Sequence, residues 1–416
     1  MCDRLMHYGW IIVAACLVIG VSAYGTYFSF TLFYPYFVEE FGWSRTAVSG
    51  AMSLGLIVYG VFALPMGWCV DRFGPRVTIA AGGLIFGCGT CLGAFVTEVW
   101  HLYALYGGLT AVGMGAAWAP LVSTISRWFE ARRGLAVGIG SLGGGIGTVF
   151  IAPLAERLIA EFGWREAYLW LGVISGGLII TASFLLARDP VDRGLEPYGA
   201  GASGKSGGGK SESAPPSPNT IQKSGSPEFD SIGAIARTWL FWRMALTFGL
   251  WWFAGSIVYV QVAPFILEKG FDLPLAALAM VFFGAGNAVG RIVMGLISDR
   301  FGELRTYQIA MLLAAISMVG LALSGDRYFL LTMITVVGFG FGGASVQLTT
   351  VSVNLFGLKS VGAMMGLILA LVGFVGAGGP LISGMIYDQT DSYIPAYMAG
   401  AGVFLLSLIL SASLRR

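Results

Sequence analysis

Twelve apolar runs, each long enough for about 20 helical residues, dominate this chain of 416 residues. A helix of that length spans the hydrocarbon core of a bilayer. The runs are rich in glycine and lack the alternating pattern of barrel strands, so helices are the structure that fits. Only 11% of the residues are charged, against about 25% in soluble globular domains. We therefore expect an all-α membrane protein whose twelve transmembrane helices lie near residues 8–36, 47–70, 77–97, 100–124, 134–156, 167–187, 244–267, 274–297, 306–324, 328–352, 360–387 and 393–413.

The distribution of basic residues predicts the orientation. Eighteen of the 24 Lys and Arg residues lie on the side that carries both termini, and five lie on the other side. By the positive-inside rule, both termini are expected on the cytoplasmic side. We expect a multi-pass protein of the plasma (cell inner) membrane. The first run is too long for a signal-peptide core, so it is expected to be a retained span. The net charge of +2 argues against nucleic acid as a partner.

The chain consists of two similar halves separated by a polar segment. Residues 188–237 are rich in Gly, Ser and Pro, which predicts a flexible cytoplasmic linker in preference to a regulatory or partner-binding tail. The flanking halves, 1–187 and 238–416, hold six runs each and repeat at an offset of 228. This offset pairs Gly67 with Gly295, Asp71 with Asp299, Arg72 with Arg300, and Gly74 with Gly302. The duplication predicts two six-helix bundles, as in secondary transporters that bind substrate between their halves near the bilayer midplane.

The repeated loop, GWCVDRFGPR at 67–76 and GLISDRFGEL at 295–304, resembles the loop motif of the major facilitator superfamily. The resemblance implies the major facilitator fold and a conformational latch at helix ends formed by Asp71, Arg72, Arg76, Asp299 and Arg300. Two further stretches resemble the signatures of the monocarboxylate porter family within that superfamily. They are YGWIIVAACLVIG with EEFGWSRTAVS in the first-span region, and WFEARRGLAVGIGSLGGGIG at the fifth span. A looser likeness connects the chain to bacterial oxalate/formate antiporters.

The fifth run contains G-x-G-x-x-G at Gly138, Gly140 and Gly143, a pattern also found in dinucleotide-binding loops. Such a loop needs a preceding strand and a soluble βαβ unit, which the run does not offer. We interpret these glycines as close helix packing. No nucleophile–base pair or metal-ligand spacing is visible, so we expect no enzyme activity, cofactor or metal site.

One charged residue, Arg291, lies deep inside an apolar run. It precedes Asp299 by eight residues, roughly 12 Å of helix, and keeping it in the membrane costs at least about 2.5–3.5 kcal/mol. No Asp or Glu lies well inside any other run, which disfavours an internal ion pair. We therefore expect Arg291 to face a central cavity and bind an anion. One buried guanidinium neutralises one carboxylate through its planar fork.

The family resemblance points to the same residue. Monocarboxylate porters carry an Asp and an Arg four residues apart on the eighth span, and the Arg pairs with the substrate carboxylate. Arg291 matches that Arg, but Asn287 occupies the Asp position and Phe28 the position of the first-span lysine. The lysine–aspartate proton relay of the family is therefore not carried over.

The remaining substrate-binding candidates are polar or aromatic residues on other runs. Asn287 lies one turn from Arg291 and can hydrogen-bond a hydroxy or keto oxygen. Oxalate exchangers carry a second cation on the eleventh span, near Ala370 and Phe374 here, but residues 360–387 contain no Lys or Arg. This difference favours a monocarboxylate over a dicarboxylate. The other candidates are Tyr24, Tyr27 and Phe28 on the first run, Trp118 on the fourth, Tyr259 on the seventh and Gln347 on the tenth.

These residues predict a secondary transporter of small, lactate- or pyruvate-like monocarboxylates that works by alternating access with proton symport. An anion antiporter of the oxalate/formate type and a substrate sensor that does not transport remain alternatives. The expected partners are the monocarboxylate anion, a proton and the lipid bilayer, and the sequence indicates no protein partner.

Overall fold

The computed structural model describes residues 8–117, 119–130, 132–199, 235–356 and 361–414, and these residues are almost entirely helical. Eleven helical segments in this part of the chain are long and apolar enough to cross a membrane. The remaining run, the fourth, is helical but interrupted. It consists of the short helix Val99–Leu102, a π-helical stretch at Tyr103–Thr110, and the helices Ala111–Met114 and Ala119–Trp128.

The helices of the N-terminal half follow the predicted runs in order. They are α1 (Tyr8–Phe28), α2 (Phe30–Phe41), α3 (Arg45–Phe73), α4 (Pro75–Leu92), α5 (Val99–Leu102), α6 (Ala111–Met114), α7 (Ala119–Trp128), α8 (Arg133–Ser141), α9 (Gly143–Phe162) and α10 (Trp164–Ser183). The first span is α1 with α2, and the fifth is α8 with α9.

The C-terminal half has fewer breaks. Its helices are α11 (Trp239–Glu268), α12 (Leu273–Phe301), α13 (Glu303–Leu323), α14 (Arg327–Phe356), α15 (Val361–Gly376), α16 (Gly378–Thr390) and α17 (Ile394–Ala412). The eleventh span is α15 with α16, and it breaks at Ala377 inside the glycine run 373–379.

The loop repeat noted in the sequence is also a structural repeat. Gly74 and Gly302 both have φ +84°, and each forms the C-cap of one helix and the N-cap of the next. A residue with a side chain is strained in this left-handed region, which explains glycine at both positions. We call the side of the bundle that carries these two loops the motif side, and the opposite side, where α3 begins and α16 ends, the Asp388 side.

Three pairs of spans bring the halves together. The first span contacts the seventh, the second contacts the eleventh, and the fifth contacts the eighth. Glycine makes the last contact close, because a Cβ at Gly145 would lie 2.8 Å from the Gly284 carbonyl and 3.0 Å from the Ala288 amide. The packing interpretation of the G-x-G-x-x-G pattern holds for Gly143, where a Cβ would lie 2.7 Å from Gly20 Cα, but Gly138 has nothing within 4 Å.

The predicted linker is partly described. Residues 190–193 form a 3-10 turn, and Tyr198 bridges to Phe129 through hydrogen bonds with the Trp128 carbonyl and the Glu130 amide. The first residues of the segment 188–237 are therefore packed against the N-terminal half. Residues 200–234 lie outside the described part of the chain.

Candidate binding site around Arg291

Arg291 lies on α12 at the contact between the two halves. It precedes the end of the helix at Phe301 by ten residues, roughly 15 Å of rise. Its Nε donates to Asn287 Oδ1 at 3.0 Å, one turn earlier on the same helix. Its Nη1 donates to the Ser141 carbonyl at 3.1 Å, which belongs to the fifth span in the other half. The guanidinium therefore connects the two halves within the eighth span, in the part of the helix nearer to the motif side.

Asn287 is fully buried, with 0% of its surface exposed. Its amide orientation is defined by the neighbouring arginine, since a guanidinium only donates and the atom facing it must be the oxygen. The Asn287 Nδ2 atom has no hydrogen-bond partner among the described residues. A buried, unsatisfied donor costs about 1–3 kcal/mol. The site thus holds a donor that a bound ligand would satisfy.

Aromatic residues from both halves stack on one another near the site. The Phe28 ring stacks on Tyr259 with centroids 4.2 Å apart and on Tyr24 at 6.1 Å. Tyr24 lines the same small space as Ser141 and Gly144, the two residues of the fifth span next to Arg291. The structure therefore brings together four of the predicted residues, Asn287, Tyr24, Phe28 and Tyr259, around Arg291.

Two other predicted residues lie elsewhere. Tyr27 is buried within the N-terminal half, where its ring stacks on Tyr106 with centroids 4.9 Å apart. Gln347 accepts a hydrogen bond from Ser298 at 3.1 Å and donates to the Met294 carbonyl at 3.4 Å, so it links the eighth and tenth spans of the C-terminal half. The prediction for Trp118 falls outside the described residues.

The positions suggested for a second cation also lie away from Arg291. The Phe374 side chain is 65% exposed on the outer surface of α15, so a lysine there would not enter a central cavity. Ala370 faces the second span, with its Cα 3.3 Å from where a Cβ of Gly60 would be. In this conformation the eleventh span packs its small residues against the second.

Sequence reasoning missed two residues of the site. The Tyr59 hydroxyl lies 3.0 Å from that of Tyr24 and connects the second span to the first. Ser141 contributes a backbone carbonyl, which no side-chain pattern reveals. A signal for Ser141 existed only in the surrounding glycines, since glycine-rich stretches favour breaks in membrane helices.

Little space remains beside the guanidinium in this conformation. A cavity of about 10 Å³ lies between the first, fourth and fifth spans and is lined in part by Tyr24, Ser141 and Gly144. That volume holds roughly one water molecule. A small organic acid would need the surrounding helices to move apart.

The Asp388 side is closed by hydrogen bonds between the halves. The Asp388 carboxylate of α16 accepts from the Arg45 and Thr46 amides, each at 2.9 Å, and from Thr46 Oγ1 at 2.6 Å. It therefore caps the first turn of α3 from the other half of the chain, where a negative charge is stabilising. Deeper in the membrane, Gln261 donates to Ser49 and Ser383, each at 2.9 Å.

The residues of the predicted latch lie on the motif side. Asp71 forms an ion pair with Arg127 at 2.8 Å, and Arg127 lies 3.5 Å from Asp189. This cluster connects the ends of the second, fourth and sixth spans within one half. The guanidinium of Arg72 lies over the Trp68 ring and that of Arg76 over the Phe184 ring.

The corresponding loop of the second half differs. Asp299 and Arg300 are exposed at the end of α12. The offset of 228 places Leu355 where the first half has Arg127, so the Asp71–Arg127 pair has no equivalent in the repeat.

The family model of the Major Facilitator Superfamily matches residues 15–368 and 270–416. The chain belongs to the major facilitator superfamily. The fold of this family has twelve membrane helices, and the predicted all-α architecture is confirmed. The interrupted fourth run is therefore one of the twelve spans. The protein is a membrane transporter by family and fold, and not an enzyme.

The similar curated proteins carry transporter names. The human monocarboxylate transporter 11 is 28% identical over 98% of this chain and 82% of its own length. Monocarboxylate transporter 12 of Rattus norvegicus is 26% identical, covering 97% and 84%, and monocarboxylate transporter 13 of Bos taurus is 27% identical, covering 96% and 87%. The predicted resemblance to this group is confirmed.

Solved structures show the same fold. A bacterial homologue of the human lysosomal transporter Spinster, in an inward-facing and unoccupied conformation, superposes with a TM-score of 0.70. The match covers 98% of this chain and 96% of that chain at 16% identity. At this identity the likeness supports the fold and not the substrate.

Proposed function

We propose that this transporter moves small 2-hydroxy or 2-oxo monocarboxylates, of the lactate or pyruvate kind, by alternating access together with a proton. The observation that carries the proposal is the pairing of Arg291 with the unsatisfied Nδ2 donor of Asn287 at the contact between the halves. The names of the similar transporters support the same class of substrate.

The charge at the site limits the substrate. Arg291 is the one Lys or Arg that lies deep within the predicted spans, and no basic residue occurs in the eleventh span. A single guanidinium in a water-poor site neutralises one carboxylate, whereas a second carboxylate would be buried without compensation, at a cost of several kcal/mol. The site therefore favours a monocarboxylate over oxalate.

The neighbours of Arg291 fit the rest of such a molecule. The fork binds the carboxylate, Asn287 Nδ2 donates to the oxygen on the second carbon, and the rings of Phe28 and Tyr259 pack on the short carbon chain. In this arrangement the carboxylate, the second-carbon oxygen and the carbon chain of the substrate each have a partner in the protein. Acetate and propionate lack the second oxygen and leave the Asn287 donor unsatisfied, which costs affinity.

Proton symport follows from charge balance. A monocarboxylate and a proton cross together without net charge, so the loaded carrier can reorient without working against the membrane potential. Asn287 cannot take the proton. We propose that the proton travels with the substrate carboxylate or on an acid near a helix end.

We also propose that the protein lies in the plasma membrane with both termini on the cytoplasmic side.

A panel of radiolabelled acids tests the proposal. The purified protein is reconstituted in liposomes, and uptake is measured for lactate, pyruvate, propionate, formate and oxalate. Lactate and pyruvate should be taken up best and should compete with each other, whereas oxalate should compete weakly. Uptake of oxalate in preference to lactate would contradict the proposal and favour an oxalate/formate antiporter. Binding of lactate without uptake would favour a sensor.

A further inference from the structure

The contact between Arg291 and Ser141 joins the binding site to the movement of the halves. The Ser141 carbonyl is the acceptor, and it belongs to the fifth span, while Arg291 belongs to the eighth. One of the five N–H donors of the guanidinium is therefore bound by the backbone of the other half.

A break in the fifth span presents this carbonyl. α8 ends at Ser141 and α9 begins at Gly143. In an unbroken helix the Gly145 amide would donate to the Ser141 carbonyl. Here the amides of Gly145 and Ile146 both donate to the Leu142 carbonyl, at 3.1 and 2.9 Å. The break thus leaves the Ser141 carbonyl available to the guanidinium.

The arginine head group lies against Gly144 of the fifth span. A Cβ at Gly144 would lie 3.7 Å from Arg291 Nη2, so the fifth span offers a backbone surface on which the guanidinium rests. On the side away from the motif loops, the same two spans touch through Gly145 and Gly284. The fifth and eighth spans are therefore joined by two contacts. The Arg291–Ser141 hydrogen bond lies nearer to the motif side than the contact between Gly145 and Gly284.

We propose that the Ser141 carbonyl is an internal competitor for the substrate carboxylate, and that the carboxylate releases the fifth span from the eighth when it replaces this carbonyl. A charged, bidentate acceptor binds a guanidinium more strongly than a single neutral carbonyl. Ser141 is thus a positioning residue: it holds Arg291 ready in the empty carrier and converts binding into movement. The inference rests on the proposed function for the identity of the ligand, but not for the contact itself.

The geometry gives the direction of the movement. Once the Arg291–Ser141 bond is lost, the two spans still touch through Gly145 and Gly284. Their motif-side ends are then free to separate about that contact. Leu135 on α8 and Leu296 on α12 lie near these ends and are 53% and 65% exposed, so they accept reporter groups without disturbing the interior.

Spin labels at these two positions test the proposal in the full chain. The native cysteines are replaced by serine or alanine, Leu135→Cys and Leu296→Cys are labelled, and the distance is measured by pulsed electron resonance. Lactate at saturating concentration should shift the main population to longer distances. Arg291→Met keeps an unbranched apolar stem but removes the charged head group and its donors. It should show the longer distance without lactate and should not respond to it.

A matched control separates this effect from general loosening of α12. Ser298→Ala removes the hydrogen bond from Ser298 to Gln347, which lies on the same helix but within one half. Its ligand-free distance should equal that of the parent. If Arg291→Met left the ligand-free distance unchanged, the inference would be overturned, whatever the substrate is. Calorimetry on the labelled parent shows whether lactate binds. Binding of lactate without a shift in the spin-label distance also overturns the inference. Absence of lactate binding counts against the proposed function. In that case the ligand-free distances of Arg291→Met and the parent still decide the inference.

Discussion

At the scale of single residues, the site depends on a guanidinium that makes two separate contacts. Arg291 donates from Nε to Asn287 and from Nη1 to Ser141. Lysine carries the same charge but places its donors on one nitrogen atom, so it cannot reach both acceptors in this geometry. The shape of the cation is therefore as important as its charge.

Replacement of Arg291 by lysine separates charge from shape. Arg291→Lys should raise the KM for lactate at least about tenfold, because hydrogen bonds to charged groups contribute about 1.5–3 kcal/mol. The measurement is uptake in proteoliposomes over a range of lactate concentrations, with the amount of reconstituted protein matched. A variant with the KM and rate of the parent would show that the guanidinium fork does not bind the carboxylate.

Asn287 is predicted to recognise the oxygen on the second carbon. Asn287→Leu should lower the preference for lactate over propionate roughly 2- to 10-fold, the effect of one neutral hydrogen bond. Propionate serves as the internal control, since it shares the carboxylate and any change in the position of Arg291 affects both acids. An unchanged ratio of the two KM values would remove Asn287 from substrate recognition.

At the scale of helices, the apolar pattern predicted the spans but not their breaks. The first, fifth and eleventh spans are interrupted at Ser29, Leu142 and Ala377. Such breaks are tolerated in membranes where nearby groups satisfy the freed backbone. Ser256 does this in the eleventh span by donating to the Gly376 carbonyl at 2.9 Å. In the fifth and eleventh spans the partners, Arg291 and Ser256, come from other spans, so the apolar run alone does not predict the break.

Close packing between the first and fifth spans gives a prediction about stability. A Cβ at Gly147 would lie 2.7 Å from the Val21 carbonyl oxygen and 2.8 Å from the Gly25 amide, and backbone atoms cannot move aside easily. Gly147→Ala should therefore destabilise the protein by about 1–3 kcal/mol. Gly138→Ala is the matched control, because nothing lies within 4 Å of that position. Thermal unfolding in detergent should show a lower midpoint for the first variant only, and equal midpoints would contradict the packing argument.

At the scale of the whole molecule, the duplication predicted that the site lies between two bundles. The lone charge inside an apolar run predicted that Arg291 belongs to this site. The direction in which each aromatic side chain points was not predictable from the sequence. Tyr24 and Phe28 are one turn apart and face Arg291, whereas Tyr27, only one residue before Phe28, packs against Tyr106 inside its own half. The first run is apolar on all sides, so no polar face showed which side meets the other half.

The closure of the Asp388 side also depends on the whole molecule. Its hydrogen bonds join residues more than 200 positions apart, such as Gln261 and Ser49, or Asp388 and Thr46. Nothing in either stretch alone identifies the other. A carrier that alternates must break these bonds when it opens the Asp388 side, and in that same state it must close on the motif side.

The central claim, monocarboxylate transport with a proton through Arg291, is tested most directly by lactate uptake into proteoliposomes with pH and voltage clamped separately. At zero voltage, an inward acid gradient of one pH unit should accumulate lactate about tenfold. A potential of 100 mV acts on an unaccompanied charge with about 2.3 kcal/mol, but it should leave uptake by an electroneutral symporter unchanged. At a lactate concentration below the KM of the parent, Arg291→Lys should lower uptake about tenfold. Uptake that ignores the pH gradient and requires an anion inside the vesicles would contradict symport and establish an antiporter.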